Sequence, residues 1–254
     1  MAALRIGFVA SDAHSAREAR ERLVERYGGV PLDKADVVVA LGGDGFMLQT
    51  LHAVEGRETP VYGMNRGTVG FLMNAYREGG LPDRLAAAER AVINPLRMRA
   101  ETTGGQVREA LAINEVSMLR SGPQAAKLRV SVDGTVRLEE LVCDGALVAT
   151  PAGSTAYNYS AFGPILPIGS EVLALTAIAP FRPRRWRGAL VPKGSVVAFE
   201  VIEAEKRPVR ADADSRPTEG VAHVEVRSEP TVAHHLLFDP GHGLDERLLR
   251  EQFA

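Results

Sequence analysis

The chain has a single cysteine, Cys143, in 254 residues. One thiol excludes an intramolecular disulfide framework and a cysteine-built metal site. Its place in the apolar run Leu141-Val142-Cys143 fits a small buried hydrophobe better than a nucleophile. An excess of either charge is missing too. Thirty Lys and Arg stand against 32 Asp and Glu, a formal net charge of -2, so no basic field marks a nucleic-acid binder. No run approaches the ~20 apolar residues of a membrane span, and the N-terminus has neither the basic start nor the apolar core of a signal peptide. A cytoplasmic protein is expected, with neither membrane nor nucleic acid among its partners. Repeats of solenoid length and low-complexity segments are also absent. What remains is ordinary globular composition, 45% apolar and 24% charged, in a chain long enough for one large domain or two modest ones.

Ile6-Gly7-Phe8-Val9-Ala10 is a short apolar run ending at Ser11 and Asp12, which suit the cap of a following helix. From Ser15 to Tyr27 charged residues alternate with periodic apolar ones, an amphipathic helix closed by Gly28-Gly29. Ala35 to Leu41 is a valine-rich run of the kind buried on both faces of a parallel sheet. Gly42-Gly43-Asp44-Gly45 follows, then a helical stretch from Phe46 to Val54, a strand at Val61 to Met64, and a second glycine-rich segment, Asn65 to Gly70. This order predicts a parallel α/β sheet. Arg84 to Val92 reads as one more helix, ended by Asn94-Pro95.

Beyond Pro95 the texture becomes β. Strands are expected at Leu96 to Thr102, Gln106 to Leu119, Ala126 to Val132, Thr135 to Leu141 and Gly145 to Thr150, with Asp133-Gly134 a hairpin turn. Further strands are expected at Ser195 to Ile202, Pro208 to Asp212, Ala222 to Ser228 and Ala233 to Leu237. A domain boundary is placed near Asn94: residues 1–94 with the tail from about 240 to 254, against 95–239. The tail from Asp245 to Phe253 reads as a helix that packs back on the first domain.

Three segments carry chemistry. A glycine-rich turn between a buried strand and a helix lets main-chain amides approach a phosphate. An acid inside such a turn has a use if Asp44 meets a substrate hydroxyl or a magnesium ion, as phosphoryl transfer requires; the alternative is a tight turn with Asp44 as an N-cap. Asn114-Glu115, between apolar Ala112-Ile113 and Val116, is either a pair for vicinal ribose hydroxyls or a strand end facing water. Asp144-Gly145 through Thr150-Pro151-Ala152-Gly153-Ser154-Thr155-Ala156-Tyr157-Asn158-Tyr159-Ser160 is the richest, a strand running into a turn dense in uncharged polar groups. That chemistry suits a nucleobase and an amide, or else a capped helix start with an inward aromatic. Neither a GxGxxG fingerprint nor a Walker lysine is present. Arg182, Arg184, Arg185 and Arg187 form a locally basic run, either phosphate-binding or simply an exposed or interfacial loop. The histidines make no metal site by spacing, since adjacent His234 and His235 on a strand point to opposite faces.

Together these segments resemble the NAD kinase family. Gly42-Gly43-Asp44-Gly45 is similar to its GGDG motif and Gly63 to Leu72 to its GxNxGxxGFL segment. Asn114-Glu115 is similar to its NE pair, and Asp144 to Ser160 to its DG…TPxGSTAYxxS stretch. The resemblance spans nearly the whole chain. It implies a Rossmann-like N-terminal α/β domain with a parallel sheet and a β-rich, sandwich-like C-terminal domain. The implied activity is transfer of a phosphoryl group from ATP, or polyphosphate, to the adenosine 2′-hydroxyl of NAD, with a divalent metal, magnesium by preference. The implied roles are Asp44 as base, Gly45 keeping the donor approach open, Asn114 and Glu115 on ribose hydroxyls, and Asp144 on the nicotinamide side. Thr155, Ala156, Tyr157, Asn158 and Ser160 would line the adenine and amide pockets, with Ala179 a further wall. A homo-oligomer, dimer or tetramer, is implied as well. Departures are Phe46 after GGDG, Ala152 before the glycine of TPxGSTAY, Val142 where some members are basic, and Ala211-Asp212-Ala213-Asp214-Ser215 where many have a DGQ-like segment. Two other readings are a GGDG-type lipid or sugar kinase and a non-catalytic dinucleotide sensor. No protein metal ligand is assigned, because magnesium keeps several waters and needs few protein groups.

Overall fold

The computed structural model describes residues 4–67 and 70–253, and the chain divides into two compact units, Met1–Ile93 with Val232–Ala254, and Asn94–Thr231. The first opens with β1 (Ile6–Ala10), α1 (His14–Tyr27), β2 (Val37–Gly42), α2 (Asp44–Ala53) and β3 (Val61–Asn65). β1 pairs parallel with β2, and β2 with β3. Every residue of β2 is buried, as a β-branched run at the centre of a helix-covered parallel sheet should be. In α1, Ala16, Ala19 and Leu23 form the buried stripe, and the helix stops at Gly28, whose φ of 72° places it in the left-handed region. Phe8, Leu23, Leu41, Tyr62 and Leu81 make the core of this unit.

The expected helix from Arg84 to Val92 is corrected. α3 spans Leu81–Ala87, and Glu89–Ile93 is a strand, β4. Its antiparallel partner, β17 (His234–Phe238), lies far along the sequence, so tertiary pairing overrides a locally helical pattern. Leu236 of β17 also pairs parallel with Val61 of β3, giving the sheet order β1-β2-β3-β17-β4. The strand read as part of the β-rich half thus completes the first unit's sheet, and the chain's return begins at Val232, ahead of residue 240. α5 (Leu244–Gln252) follows it.

The second unit runs through β5 (Leu96–Thr102), β6 (Val107–Ala112), β7 (Glu115–Arg120), β8 (Ala126–Val132), β9 (Thr135–Cys143) and β10 (Gly145–Ala149). A tight turn at Ala152–Thr155 leads into the one-turn helix α4 (Tyr157–Ser160). Then come β11 (Val172–Ile178), β12 (Gly188–Pro192), β13 (Val197–Val201), β14 (Val209–Ala213), β15 (Arg216–Thr218) and β16 (Val221–Ser228). They form two antiparallel six-stranded sheets, β12-β11-β10-β7-β14-β15 and β6-β5-β16-β13-β8-β9, whose buried residues share one core including Met98, Met118, Val148 and Phe199. The fold is a Rossmann-like α/β unit plus a β-sandwich-like unit. Two expectations change here. The expected single element from Gln106 to Leu119 is two strands in different sheets, broken at Ile113-Asn114, and β11, β12 and β15 are strands beyond those expected from the sequence.

Candidate active site

In the first unit β2 ends at Gly42, Gly43 is extended, and Asp44 is the first residue of α2. The opening amides of a helix have no intrahelical acceptor, and among the described residues a Cβ at Gly43 or Gly45 would have no atom within 4 Å. Phe46, the departure after the motif, is accommodated because Gly42 is a glycine: a Cβ there would stand 2.8 Å from the Cβ of Phe46. Arg66 donates its amide to the Gly42 carbonyl (2.8 Å), which ties the second glycine-rich segment to the first. That segment closes on the acid. The amides of Phe71 and Leu72 donate to the Asp44 carboxylate at 2.6 and 2.8 Å, one to each oxygen. Gly70 is required for this approach, since a Cβ would lie 2.6 Å from Cγ of Met73 and 3.3 Å from Asp44. Thr68 and Val69 of the same segment lie outside the described residues.

In the second unit the Asn114-Glu115 pair sits where the chain leaves β6 for β7. The crossing is held by Asp214, in the β14–β15 turn with a φ of 54°. Its carboxylate accepts the amides of Ile113 (2.8 Å), Asn114 (2.9 Å) and Glu115 (3.4 Å). The acid of this loop acts some hundred residues away in sequence, where no local pattern shows it. The third segment docks on the same crossing. Thr150 donates its amide to the Asn114 carbonyl (2.9 Å) and its hydroxyl to that of Ile113 (2.7 Å). Gly153 packs so closely that a Cβ would stand 2.2 Å from the Asn114 carbonyl oxygen. Two segments read separately are therefore brought together. Between them Glu115 is largely buried, with Oε2 lacking a hydrogen-bond partner. Burial, then the charge of Asp214, push its carboxyl up to about 8, against an opposing hydrogen bond from the Tyr157 amide.

A polar cavity of about 580 Å³ opens beside this cluster, lined by Asp144 and Tyr157 together with Arg120, Ile178, Arg210 and Glu219. Asp144 receives Nε of Arg120 at 2.6 Å, with both side chains partly exposed, and its amide donates to the Ile178 carbonyl (3.0 Å). Arg210 pairs with Asp212 at 3.0 Å. None of the cavity's arginines was legible, because each stands alone in an alternating strand. Ala179, exposed and with a φ of 46°, directly follows Ile178. Thr155 and Ala156 are half-buried and Ser160 is exposed. Asn158 requires a correction. Its carboxamide is fully buried, donating to the carbonyls of Ser154 (3.0 Å) and Pro164 (2.9 Å) and accepting the Thr176 hydroxyl (2.6 Å). It anchors the Tyr157 turn instead of lining a pocket, since a buried amide spends its capacity on the protein around it.

Burial pushes the Cys143 thiol up to about 12, consistent with an inert core residue. The arginine run is an exposed loop, with Arg182 and Arg184 over the ring of Phe181 at 5.7 and 5.6 Å. Among the described residues no cluster of three or more His, Cys, Asp or Glu could hold a metal ion, and no helix is long and apolar enough to cross a membrane.

Comparison with known proteins gives a consistent picture. The family model described as ATP-NAD kinase N-terminal domain matches residues 11–88, and that described as ATP-NAD kinase C-terminal domain matches residues 113–228. A protein of Cereibacter sphaeroides named NAD kinase is 69% identical over 98% of this chain and 98% of its own length. One of Caulobacter vibrioides with the same name is 58% identical over 98% and 96%. Among solved structures, an NAD kinase from Archaeoglobus fulgidus in complex with ATP aligns with a TM-score of 0.76 and 25% identity, covering 98% of this chain and 97% of that one. Yeast NADH kinase complexed with NADH aligns with a TM-score of 0.85 and 20% identity, over 98% and 87%, which speaks for the fold.

Proposed function

The chain belongs to the ATP-NAD kinase family, and from that premise we propose that it phosphorylates NAD to NADP with ATP as donor and Asp44 as general base. The 2′-hydroxyl oxygen of the adenosine ribose attacks the γ-phosphorus, the bond from that phosphorus to the leaving ADP breaks, and the hydroxyl proton passes to Asp44. Such transfers depend on positioning and charge neutralisation more than on covalent chemistry by the protein. The observation that carries the reading is the Asp44 carboxylate at the head of α2, oriented by two amides.

The remaining roles follow the same reading. The first-turn amides of α2 receive donor phosphate, with Gly45 leaving room. Asn114 and Glu115 bind ribose hydroxyls; a carboxyl that keeps its proton both donates and accepts there. Asp144, Thr155, Ala156, Tyr157, Ser160 and Ala179 surround the base and amide ends of the dinucleotide, and Asn158 keeps that turn in place. For a divalent metal, Asp44 would be the fitting protein group, since among the described residues each of its oxygens accepts one amide. Donor phosphates and water would complete the shell, in keeping with magnesium's preference. When bound, the ion offsets the charge of the phosphates.

The protein is read as a cytoplasmic homo-oligomer, dimer or tetramer. Support comes from exposed Phe181 and Leu190 and an apolar recess of about 270 Å³ lined by Trp186, Leu138 and Val191 in the second unit; sedimentation of the purified chain tests it. The function is tested with purified protein, NAD, magnesium and either ATP or polyphosphate, scoring NADP. Turnover with one donor supports the kinase, and NAD binding without turnover would leave only a sensor.

A further inference from the structure

We propose that Arg247 of α5 is a positioning residue for Asp44, acting on it through two peptide groups without touching it. The proposal rests on the reading of Asp44 as the base. Nη1 of Arg247 donates to the carbonyls of Gly70 (3.3 Å), Phe71 (3.1 Å) and Met73 (2.8 Å). The Gly70 carbonyl and the Phe71 amide belong to one peptide unit, as do the Phe71 carbonyl and the Leu72 amide. A trans peptide points its C=O and its N–H in opposite directions. Each of the two units therefore offers its oxygen to Arg247 and its N–H to Asp44, the Phe71 amide at 2.6 Å and the Leu72 amide at 2.8 Å. Guanidinium, two peptides and carboxylate form a relayed ion pair, in which hydrogen bonds in series polarise one another.

Other contacts show that the guanidinium is placed for this. Its Nε donates to the His242 carbonyl (2.8 Å), fixing the far end of the fork. The ring of Phe238, the last residue of β17, lies 5.2 Å from the guanidinium carbon. Burial works against the charge, while the charges of Asp44 and Asp239 support it. A half-buried cation spent on main-chain carbonyls of one loop is a costly way to pin a helix, which apolar packing does as well. It is a direct way to orient the N–H groups of that loop. Arginine suits the task because its planar fork reaches several acceptors at once, whereas lysine offers a point charge.

The test compares full-length wild type, Arg247→Lys and Arg247→Met for kcat, KM for NAD and melting temperature. The expected result is a graded fall in kcat, several-fold for lysine and roughly tenfold or more for methionine, the tenfold step being about 1.4 kcal/mol of transition-state stabilisation. KM for NAD stays within about twofold, because an interaction that orients only the base leaves ground-state binding alone. An unchanged kcat overturns the proposal, and so does a rise in KM that accounts for the whole loss. If the methionine variant fails to fold, Arg247→Lys decides alone: a lowered kcat at unchanged KM and melting temperature supports the relay, and wild-type kcat overturns it. Asp44→Asn separates the two claims. If it keeps near-normal turnover, the base assignment fails; if it is inactive while the Arg247 variants keep kcat, only the relay fails.

Discussion

In the first unit an acid heads a helix and finds two main-chain N–H groups aimed at its two oxygens. In the second, an acid heads a strand, is largely buried, and has one oxygen without a hydrogen bond. Asp44 and Glu115 are both carboxylic acids that follow a turn, and their surroundings divide the labour between them. Two amides fix the orientation of the Asp44 carboxylate. Desolvation around Glu115, with Asp214 close by, keeps its proton to about pH 8. Under the proposed reading, these different surroundings suit one acid to accept a proton and the other to donate a hydrogen bond.

The largest effect that could break this comparison is expected from Asp44→Asn. Turnover should fall by about 10²- to 10⁴-fold, the usual worth of a positioned base, while NAD binding measured by calorimetry stays close to wild type. Near-normal turnover would end the distinction between the two acids. Next comes Gly153→Ala. Its methyl group would meet the Asn114 carbonyl, so the second unit should lose about 1–3 kcal/mol on denaturant unfolding, as overpacked sites do, with weaker NAD binding. A wild-type unfolding midpoint would mean that the Asn114 crossing yields more than its packing indicates.

Glu115→Gln sharpens the contrast by pH. The folded chain holds the Glu115 proton up to about 8, whereas an unfolded chain releases it near the ordinary 4.5. Between those values the folded state binds more protons, so stability falls as pH rises through the window. Glutamine should remove that slope from melting temperatures recorded across it; a slope unchanged from wild type assigns the pH dependence to other groups. The smallest effect is expected from Arg120→Ala. Its partly exposed pair with Asp144 contributes at most about 1 kcal/mol to stability, and the measurable change should be in NAD affinity, read by titration.

Much of the first unit could be read from the sequence because its signals are local. The valine run of β2, the stripe of α1 and the glycines after β2 each report their own surroundings. The misreadings share a different cause. Glu89–Ile93 has a helical pattern but is claimed by β17, and Ile113-Asn114 looks like the middle of one strand but is the point where the chain changes sheet. β11, a short apolar run interrupted only by Thr176, carries no period that separates strand from buried helix. The same holds for chemistry. Asp44, Asn114-Glu115 and the Tyr157 turn announce themselves by motif, whereas Asp214 and Arg247 act through main-chain atoms distant in sequence. Hydrogen bonds to a backbone leave no residue-type signature at the receiving end. Asn158 shows the converse: its amide looks like a ligand contact in sequence and is consumed by Ser154, Pro164 and Thr176 in space.

The late strand β17 also sets the order in which a nascent chain can take shape. Residues 94–231 form one uninterrupted stretch and can close their two sheets as soon as they leave the ribosome. The first unit, although synthesised earlier, must wait. Among the described residues β4 has no neighbour in its sheet other than β17, and β3 keeps an open edge until β17 arrives. Through most of translation that edge offers unpaired main-chain groups to any passing strand. A chain halted before Leu236 would carry a finished middle and an unfinished beginning, and the beginning is where it would aggregate.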